Sequence, residues 1–189
     1  MTKIAIIVGS TRPGRKALGV AEWVDQLAQK RGDAEYELVD IAEYDLPLFD
    51  EPMPPARGQY AHAHTLAWAA KIAEFDGYVF VTPEYNHSTS GALKNAIDYL
   101  YAEWRDKAAG FVGYGITGGI RAVEQLRLVM GELSVADVRS QVSLSLFTDW
   151  EYFSVFAPAE RNEDSLNRML DEVVAWSQAL APLRSRTAA

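Results

Sequence analysis

The chain has 189 residues, 49% apolar and 23% charged, with a net charge of −8 and no cysteine. This length and apolar content suit one compact domain over residues 1–189 and argue against disorder. The lack of cysteine excludes disulfides, thiolate catalysis and Cys-ligated zinc or iron–sulfur centres, and the negative charge speaks against nucleic acid as a partner.

Met1-Thr2-Lys3 runs at once into Ile4-Ala5-Ile6-Ile7-Val8. Five apolar residues are too few for a secretory h-region, so a cytoplasmic protein is expected. No stretch approaches the roughly 20 apolar residues that cross a bilayer, so no membrane partner is expected. The same run lacks polar alternation, which predicts a strand buried on both faces of a parallel sheet.

Residues 17–30 place Leu18, Ala21, Val24, Leu27 and Ala28 on one helical face. Arg31-Gly32-Asp33 stops that helix, and residues 36–40 read as a half-buried strand. Residues 41–58, with Pro47, Pro52, Pro54 and Pro55, are expected to be a long irregular segment, a lid or a disordered loop. A helix over 59–75 follows, with Ala63, Leu66, Ala67, Ala70 and Ala73 among its apolar positions, then a buried strand over 77–82 stopped by Pro83.

Residues 91–104 are helical in pattern, with Ile97, Leu100, Tyr101 and Trp104 forming one apolar stripe. A fourth strand is predicted over 108–115, and Gly118-Gly119 opens a helix to about Leu133. A fifth strand over 141–147 and a closing helix over 163–183, with Leu166, Leu170, Val173, Val174 and Leu180 inward, complete the pattern. Five strands alternating with helices predict a parallel sheet wound on both faces. Ligands in such sheets sit at the carboxyl ends of the strands, so the loops after Val8, Val81 and Tyr114 are where chemistry is expected.

The first loop, Gly9-Ser10-Thr11-Arg12-Pro13-Gly14-Arg15, joins flexible glycines, hydroxyls and two cations ahead of a helix N-terminus. Those features suit a monophosphate cradle, and equally a serine-capped helix with solvent-exposed arginines. The loop has neither the ending of an ATP-type P-loop nor G-x-G-x-x-G spacing. In the second loop, Pro83-Glu84-Tyr85-Asn86-His87-Ser88, Pro83 stiffens the strand exit and Tyr85 offers an aromatic face. A plain β-turn followed by a helix capped by Ser90 also accounts for the polar residues. His62 and His64, two apart on a helix, would point in different directions, so no metal site is expected.

Four segments in order carry a resemblance: Gly9-Ser10-Thr11-Arg12 with Arg15, Pro83-Glu84-Tyr85-Asn86, Leu93-Lys94-Asn95-Ala96-Ile97-Asp98-Tyr99-Leu100, and Gly118-Gly119-Ile120-Arg121-Ala122. Together they resemble the NADPH-dependent FMN reductase family, which includes chromate, quinone and azo-dye reductases, over about residues 3–180. The resemblance implies a flavodoxin-like three-layer sandwich with a five-stranded parallel sheet in the order 2-1-3-4-5. It implies that Ser10, Thr11, Arg12 and Arg15 hold the FMN phosphate. It implies that Pro83, Glu84, Tyr85 and Asn86 line the isoalloxazine ring, and that Gly115, Thr117 and Gly118 pass its other side. Many relatives carry serine and asparagine late in the phosphate loop, where this chain has Arg15-Lys16-Ala17; Arg15 is taken as the substitute.

The expected activity is hydride transfer from NADPH or NADH to FMN, then electron transfer to a small acceptor (free flavin, quinone, azo compound or metal oxyanion) in a ping-pong cycle. Such transfer needs stacking and orientation, so no catalytic acid, base or nucleophile is nominated. The alternative is a flavodoxin-type electron carrier or a flavin-binding sensor. Arg12, Arg15 and Arg121 are candidates for the NADPH 2′-phosphate, with an acidic neighbour as the other partner for Arg121. Trp104, Trp150, Tyr152 and Phe153 are candidates for acceptor-pocket walls or for core and interface packing. In relatives the region of the Ile97 stripe contributes to a homodimer, so a homodimer or dimer of dimers is expected.

Overall fold

The computed structural model describes residues 1–187. Strands β1 (Lys3–Val8), β2 (Glu35–Asp40), β3 (Gly77–Pro83), β4 (Ala108–Gly115) and β5 (Ala136–Ser145) form one sheet in the order β2-β1-β3-β4-β5. Every neighbouring pair is parallel. The helices are α1 (Ala17–Ala28), α2 (Ala63–Ala73), α3 (Gly91–Asp98), α4 (Ile120–Glu132) and α5 (Arg161–Thr187). A two-stranded hairpin, β6 (Trp150–Glu151) with β7 (Val155–Phe156), follows β5 and has no counterpart in the sequence reading.

Alternate residues of the central strands feed two cores. Ile4, Ile6, Val8, Val79 and Val81 pack with α1 and α5. Ala5, Ile7, Tyr78, Phe80 and Phe111 pack with α2, α3 and α4. A strand with both faces covered can carry no polar position, which is why β1 reads as an unbroken apolar run.

Several boundaries differ from the sequence reading, each for a tertiary reason. The inward face of α2 is Thr65, Trp68, Ala69 and Ile72, while Leu66 is exposed. Burying one tryptophan and one isoleucine removes more apolar area from water than burying a row of alanines, so the larger side chains set the helix rotation. The helix also starts at Ala63 rather than Gln59, because the buried Glu51 carboxylate accepts the Ala61 and His62 amides and holds them extended. Helix α3 ends at Asp98 rather than Trp104. Its last carbonyls are taken by indoles: Trp68 donates to Ala96 O at 2.7 Å and Trp104 to Ile97 O at 3.1 Å. Those acceptors no longer need further helical turns. Ile97, Leu100 and Trp104 are therefore buried in this chain's own core and offer no surface stripe.

Strand β5 begins at Ala136, five residues before Gln141, and its register against β4 shifts between Ala109 and Phe111. Arg127 of α4 explains the irregularity, since its guanidinium takes the Val138 and Arg139 carbonyls. The 41–58 segment contains 3-10 turns at Ile41–Tyr44 and Pro55–Arg57. It is pinned to α3, with Asn95 donating to Pro47 O at 2.7 Å and accepting from Phe49 N at 2.9 Å.

The two histidines also differ from expectation. His62 precedes α2 in an extended conformation, so its ring stacks on that of His64 at 5.2 Å and 11°. His64 Nε2 lies 3.0 Å from Asp50 Oδ1. Among the described residues no group of three or more His, Asp or Glu is placed to hold a metal, and no helix is long and apolar enough to cross a membrane.

Candidate active site

The sequence-predicted residues meet at the carboxyl ends of β1, β3 and β4, where the winding of the sheet reverses. A cavity of about 360 Å³ opens there, bordered by Arg12, Gly14, Arg15, Lys16, Pro83, Glu84, Tyr85, Tyr114, Gly115, Ile116 and Leu146. Its volume is in the range of small-molecule sites.

The first loop crosses over the end of β3. Gly9 N donates to Val81 O at 2.8 Å, and a Cβ on Gly9 would stand 2.5 Å from that same oxygen. No other residue fits this crossing. Ser90 locks the loop from the far side, donating to Gly9 O at 2.6 Å while capping α3 through Leu93 N at 3.0 Å. Ser10 is nearly buried, its Oγ accepting weakly from Arg12 N at 3.4 Å and sharing a hydrogen bond with Tyr85 Oη at 3.3 Å. The serine-capped-helix reading fails here: α1 begins after Lys16 with no side-chain cap, six residues beyond Ser10.

The two arginines of this loop behave differently. Arg12 is exposed on the cavity rim. Arg15 is half-buried and pairs with Asp40 at the end of β2, while its Nε is buried with no hydrogen-bond partner. Thr11 faces away, into a second cavity of about 400 Å³ with Ile41, Ala42, Asn95 and Ala96.

The second loop is a tight hairpin rather than an open turn. Tyr85 and Ser88 exchange backbone hydrogen bonds at 2.9 and 3.1 Å, with Asn86 and His87 both at positive φ (48° and 73°). Two left-handed central residues match the strand twist of a two-residue hairpin, and asparagine tolerates that conformation well. The hairpin fixes Tyr85 beside the cavity.

Glu84 joins the second loop to the third. Its nearly buried carboxylate pairs with the Arg121 guanidinium and accepts from Arg121 N at 3.1 Å and Thr117 Oγ1 at 3.4 Å. Burial pushes this carboxyl up, and the hydrogen bonds from Arg121 outweigh it, leaving it below the ordinary glutamate value. Arg121 also donates to Thr117 Oγ1 at 3.0 Å and to His87 Nδ1 at 3.2 Å. It is the acidic-neighbour alternative for Arg121 that the structure realises. Gly115 and Gly118 form the turn of the third loop, closed by Gly118 N donating to Gly115 O at 3.2 Å.

A fourth loop, after β5, was missed by sequence reasoning. Leu146 N donates to Gly115 O at 3.0 Å and Ser145 Oγ to Ile116 O at 3.0 Å, which brings Leu146 to the cavity wall. The buried Asp149 anchors this loop, accepting from Ser145 N at 2.9 Å, Ala159 N at 3.2 Å and Asn162 Nδ2 at 2.6 Å. An acid amid Phe147, Trp150, Tyr152 and Phe153 was the available signal. Trp104 and Trp150 are buried and do not border the cavity.

Comparison with known proteins bears on this arrangement. The sequence model described as NADPH-dependent FMN reductase matches residues 2–149. An NAD(P)H-dependent FMN reductase of Nectria sp is 39% identical over 194 residues, covering 92% of this chain and 96% of the relative. A quinone reductase of Escherichia coli K12 is 34% identical over 134 residues, 68% of this chain and 69% of the relative. Among solved structures, a flavoenzyme NAD(P)H:(acceptor) oxidoreductase from Paracoccus denitrificans superposes with a TM-score of 0.72 at 23% identity, covering 95% of this chain and 98% of that one. That likeness establishes the flavodoxin-like fold.

Proposed function

The chain belongs to the NADPH-dependent FMN reductase family, and we propose that it is an NAD(P)H oxidoreductase that holds FMN in the cavity between the β1, β3 and β4 loops and serves a small acceptor by a ping-pong cycle. The observation that carries this reading is the cavity's donor set. Arg12, which is exposed, and Arg15, whose buried Nε has no partner, border the cavity, and behind them the nearly buried Ser10 Oγ links the Arg12 amide to the Tyr85 hydroxyl. An anion gains charge-assisted hydrogen bonds from such groups, so these residues fit a phosphate. The ring of Tyr85 and the backbone of the second and third loops form the rest of the wall, which fits a planar ring with a polar edge.

FMN bound there would supply the two-electron chemistry that links NAD(P)H to an acceptor. Ser10, Arg12 and Arg15 would hold the phosphate end, with Asp40 fixing the Arg15 guanidinium, whereas Thr11, expected to join them, faces the second cavity. Pro83, Glu84, Tyr85 and Asn86 would line the ring together with Gly115, Thr117 and Gly118 of the third loop. Backbone N–H groups of these loops would stabilise negative charge at the ring's polar edge. Glu84 and Arg121 neutralise one another, so they hold the two ring-lining loops together without placing net charge on the ring.

A quinone is the acceptor class favoured here, supported by the name of the Escherichia coli relative. With it the overall balance is NAD(P)H, one proton and quinone giving NAD(P)⁺ and hydroquinone. A homodimer or dimer of dimers is part of the same reading. It is supported by the exposed Leu48, Phe49 and Met53 on the pinned loop and Leu66 on the outer face of α2.

Arg12→Ala tests the assignment of the phosphate end. FMN affinity, read by quenching of flavin fluorescence, is expected to fall several-fold or more, about 1.5–3 kcal/mol for a charge-assisted hydrogen bond. Circular dichroism should not change, because Arg12 is exposed. An unchanged affinity would place the phosphate elsewhere.

A further inference from the structure

We infer that Lys107, at the end of the sheet opposite the candidate active site, is a carbamate-forming site whose amine takes up CO2 at the adjoining cavity. This second site is independent of the reading of the first as a reductase.

Lys107 lies just before β4, at the amino ends of the strands, and is only 6% exposed. A lysine so buried is normally paired with a carboxylate. Among the described residues none pairs with this one. Its Nζ donates to Ile72 O at 3.0 Å and to Tyr78 Oη at 2.9 Å, both neutral oxygens. The two carboxylates that face it are engaged elsewhere. Asp76 accepts from Lys3 N at 2.9 Å and from Arg184 at 2.7 Å, and Glu103 Oε2 accepts from Tyr60 Oη at 2.8 Å. Two acceptors match the two N–H groups of a neutral amine, which keeps its lone pair. An ammonium would carry a third N–H with no acceptor among the described residues.

Burial, and next the Arg184 charge, bring the Lys107 pKa down to about 8, with Asp76, Glu103 and the Tyr78 ring, 5.3 Å from Nζ, on the side of the ammonium. About half of the side chain is therefore free amine at pH 8, against under about 1% of an ordinary lysine.

A cavity of about 230 Å³ adjoins this amine, bordered by Lys107 together with Glu103, Arg105, Asp106 and Arg184. The burial of Lys107 disfavours a bulky or charged electrophile, whereas CO2 is small and neutral. Asp106 is the carboxylate that opposes an anionic product. Arg105, exposed and without a carboxylate partner, and Arg184, held by Asp76 and the Asp106 and Ser177 carbonyls, offset it.

In the step the Nζ lone pair attacks the carbon of CO2, and the C–N bond forms as one C=O pair moves onto oxygen. One N–H proton passes to water, so amine and CO2 give a carbamate and one proton, with no oxidant or reductant. The carbamate keeps one N–H for Tyr78 Oη, and Ile72 O retains the Tyr78 hydroxyl as donor at 3.2 Å.

The test incubates the intact protein with isotope-labelled bicarbonate and CO2, traps carbamates as ethyl esters with triethyloxonium ion, and maps them by peptide mass spectrometry. At about pH 8, Lys107 is expected to carry at least about tenfold more label than Lys3 or Lys71, whose pKa values are raised by hydrogen bonds to Glu74 and Glu37 respectively. At constant dissolved CO2 its initial labelling rate should climb about tenfold per pH unit below about pH 7.5 and level off above about pH 8.5. Lys107→Arg keeps a cation and should lose the label at this position; mapping of the parent protein decides the matter if that variant does not fold. Absence of label at Lys107 in the parent would overturn the site, as would label spread evenly over Lys107, Lys3 and Lys71. A rate at Lys107 still climbing at about pH 10 would overturn it too, as the behaviour of an ordinary lysine.

Discussion

Gly119→Ala is expected to lower the melting temperature by about 10 °C and to weaken FMN binding at least about tenfold. Gly119 has φ +69°, and a Cβ there would lie 2.4 Å from Tyr114 N, 2.6 Å from Gly113 C and 2.8 Å from Gly113 Cα. The neighbours are backbone atoms of a central strand, which cannot move aside as a flexible side chain can. The left-handed conformation alone costs an alanine about 1–2 kcal/mol. Displacing β4 or the loop adds to that, for about 3 kcal/mol or more in total. At about 2–4 °C per kcal/mol for a chain of this size, the shift is near 10 °C. Ligand binding should suffer with stability, because the residues after Gly119 carry Arg121 and hence the clasp on Glu84. Gly14→Ala is the control. It has the same φ of +69° and no atom within 4 Å of the added methyl, so only the conformational cost applies. Calorimetry on the two variants should therefore show a small shift for Gly14→Ala and a large one for Gly119→Ala. Equal shifts would contradict the close-approach account.

Trp104→Ala should destabilise the fold by about 3–5 kcal/mol while leaving FMN affinity unchanged. Trp104 is fully buried, donates to Ile97 O, and packs against Tyr78 at 5.0 Å, Phe80 at 6.0 Å and Trp68 at 6.2 Å. Removing it opens a cavity under β3 and takes the indole hydrogen bond from Ile97 O, which keeps only the Leu100 amide as donor. Urea unfolding gives the stability change, and fluorescence titration gives the affinity. A Kd for FMN that rises along with the loss of stability would show that Trp104 supports the ligand after all.

The contrast between these two positions shows what was legible in the sequence. Gly119 sits in a loop whose glycine pair announces an unusual backbone, and it stands where the pattern places the third loop. Trp104 reads equally well as helix stripe, pocket wall or core, because an apolar side chain does not say which neighbour it meets. The strands β1 and β4 were readable since burial on both faces leaves no polar residue in the run. The rotation of α2 was not, because alanines count as apolar while Trp68 and Ile72 dominate the area actually buried.

At the site, the glycine, proline and hydroxyl residues of the first two loops identified them, since each loop needs those residue types for its backbone path. The pairing of Arg15 with Asp40, the clasp between Glu84 and Arg121, and the anchoring of the post-β5 loop by Asp149 all join residues far apart in sequence. Local pattern carries no information on which charges meet across a sheet. Leu146 entered the cavity wall by the same route, through a strand that starts earlier and bulges where Arg127 grips it.

An anaerobic titration of the FMN-loaded protein with NADPH and, separately, NADH, followed at the flavin absorbance band, tests the reductase assignment most directly. One equivalent of at least one nicotinamide should bleach the band, and 1,4-naphthoquinone added after removal of the nicotinamide should restore it. A band that stays unbleached with both nucleotides would contradict the assignment of a reductase and leave a flavin carrier or sensor in its place.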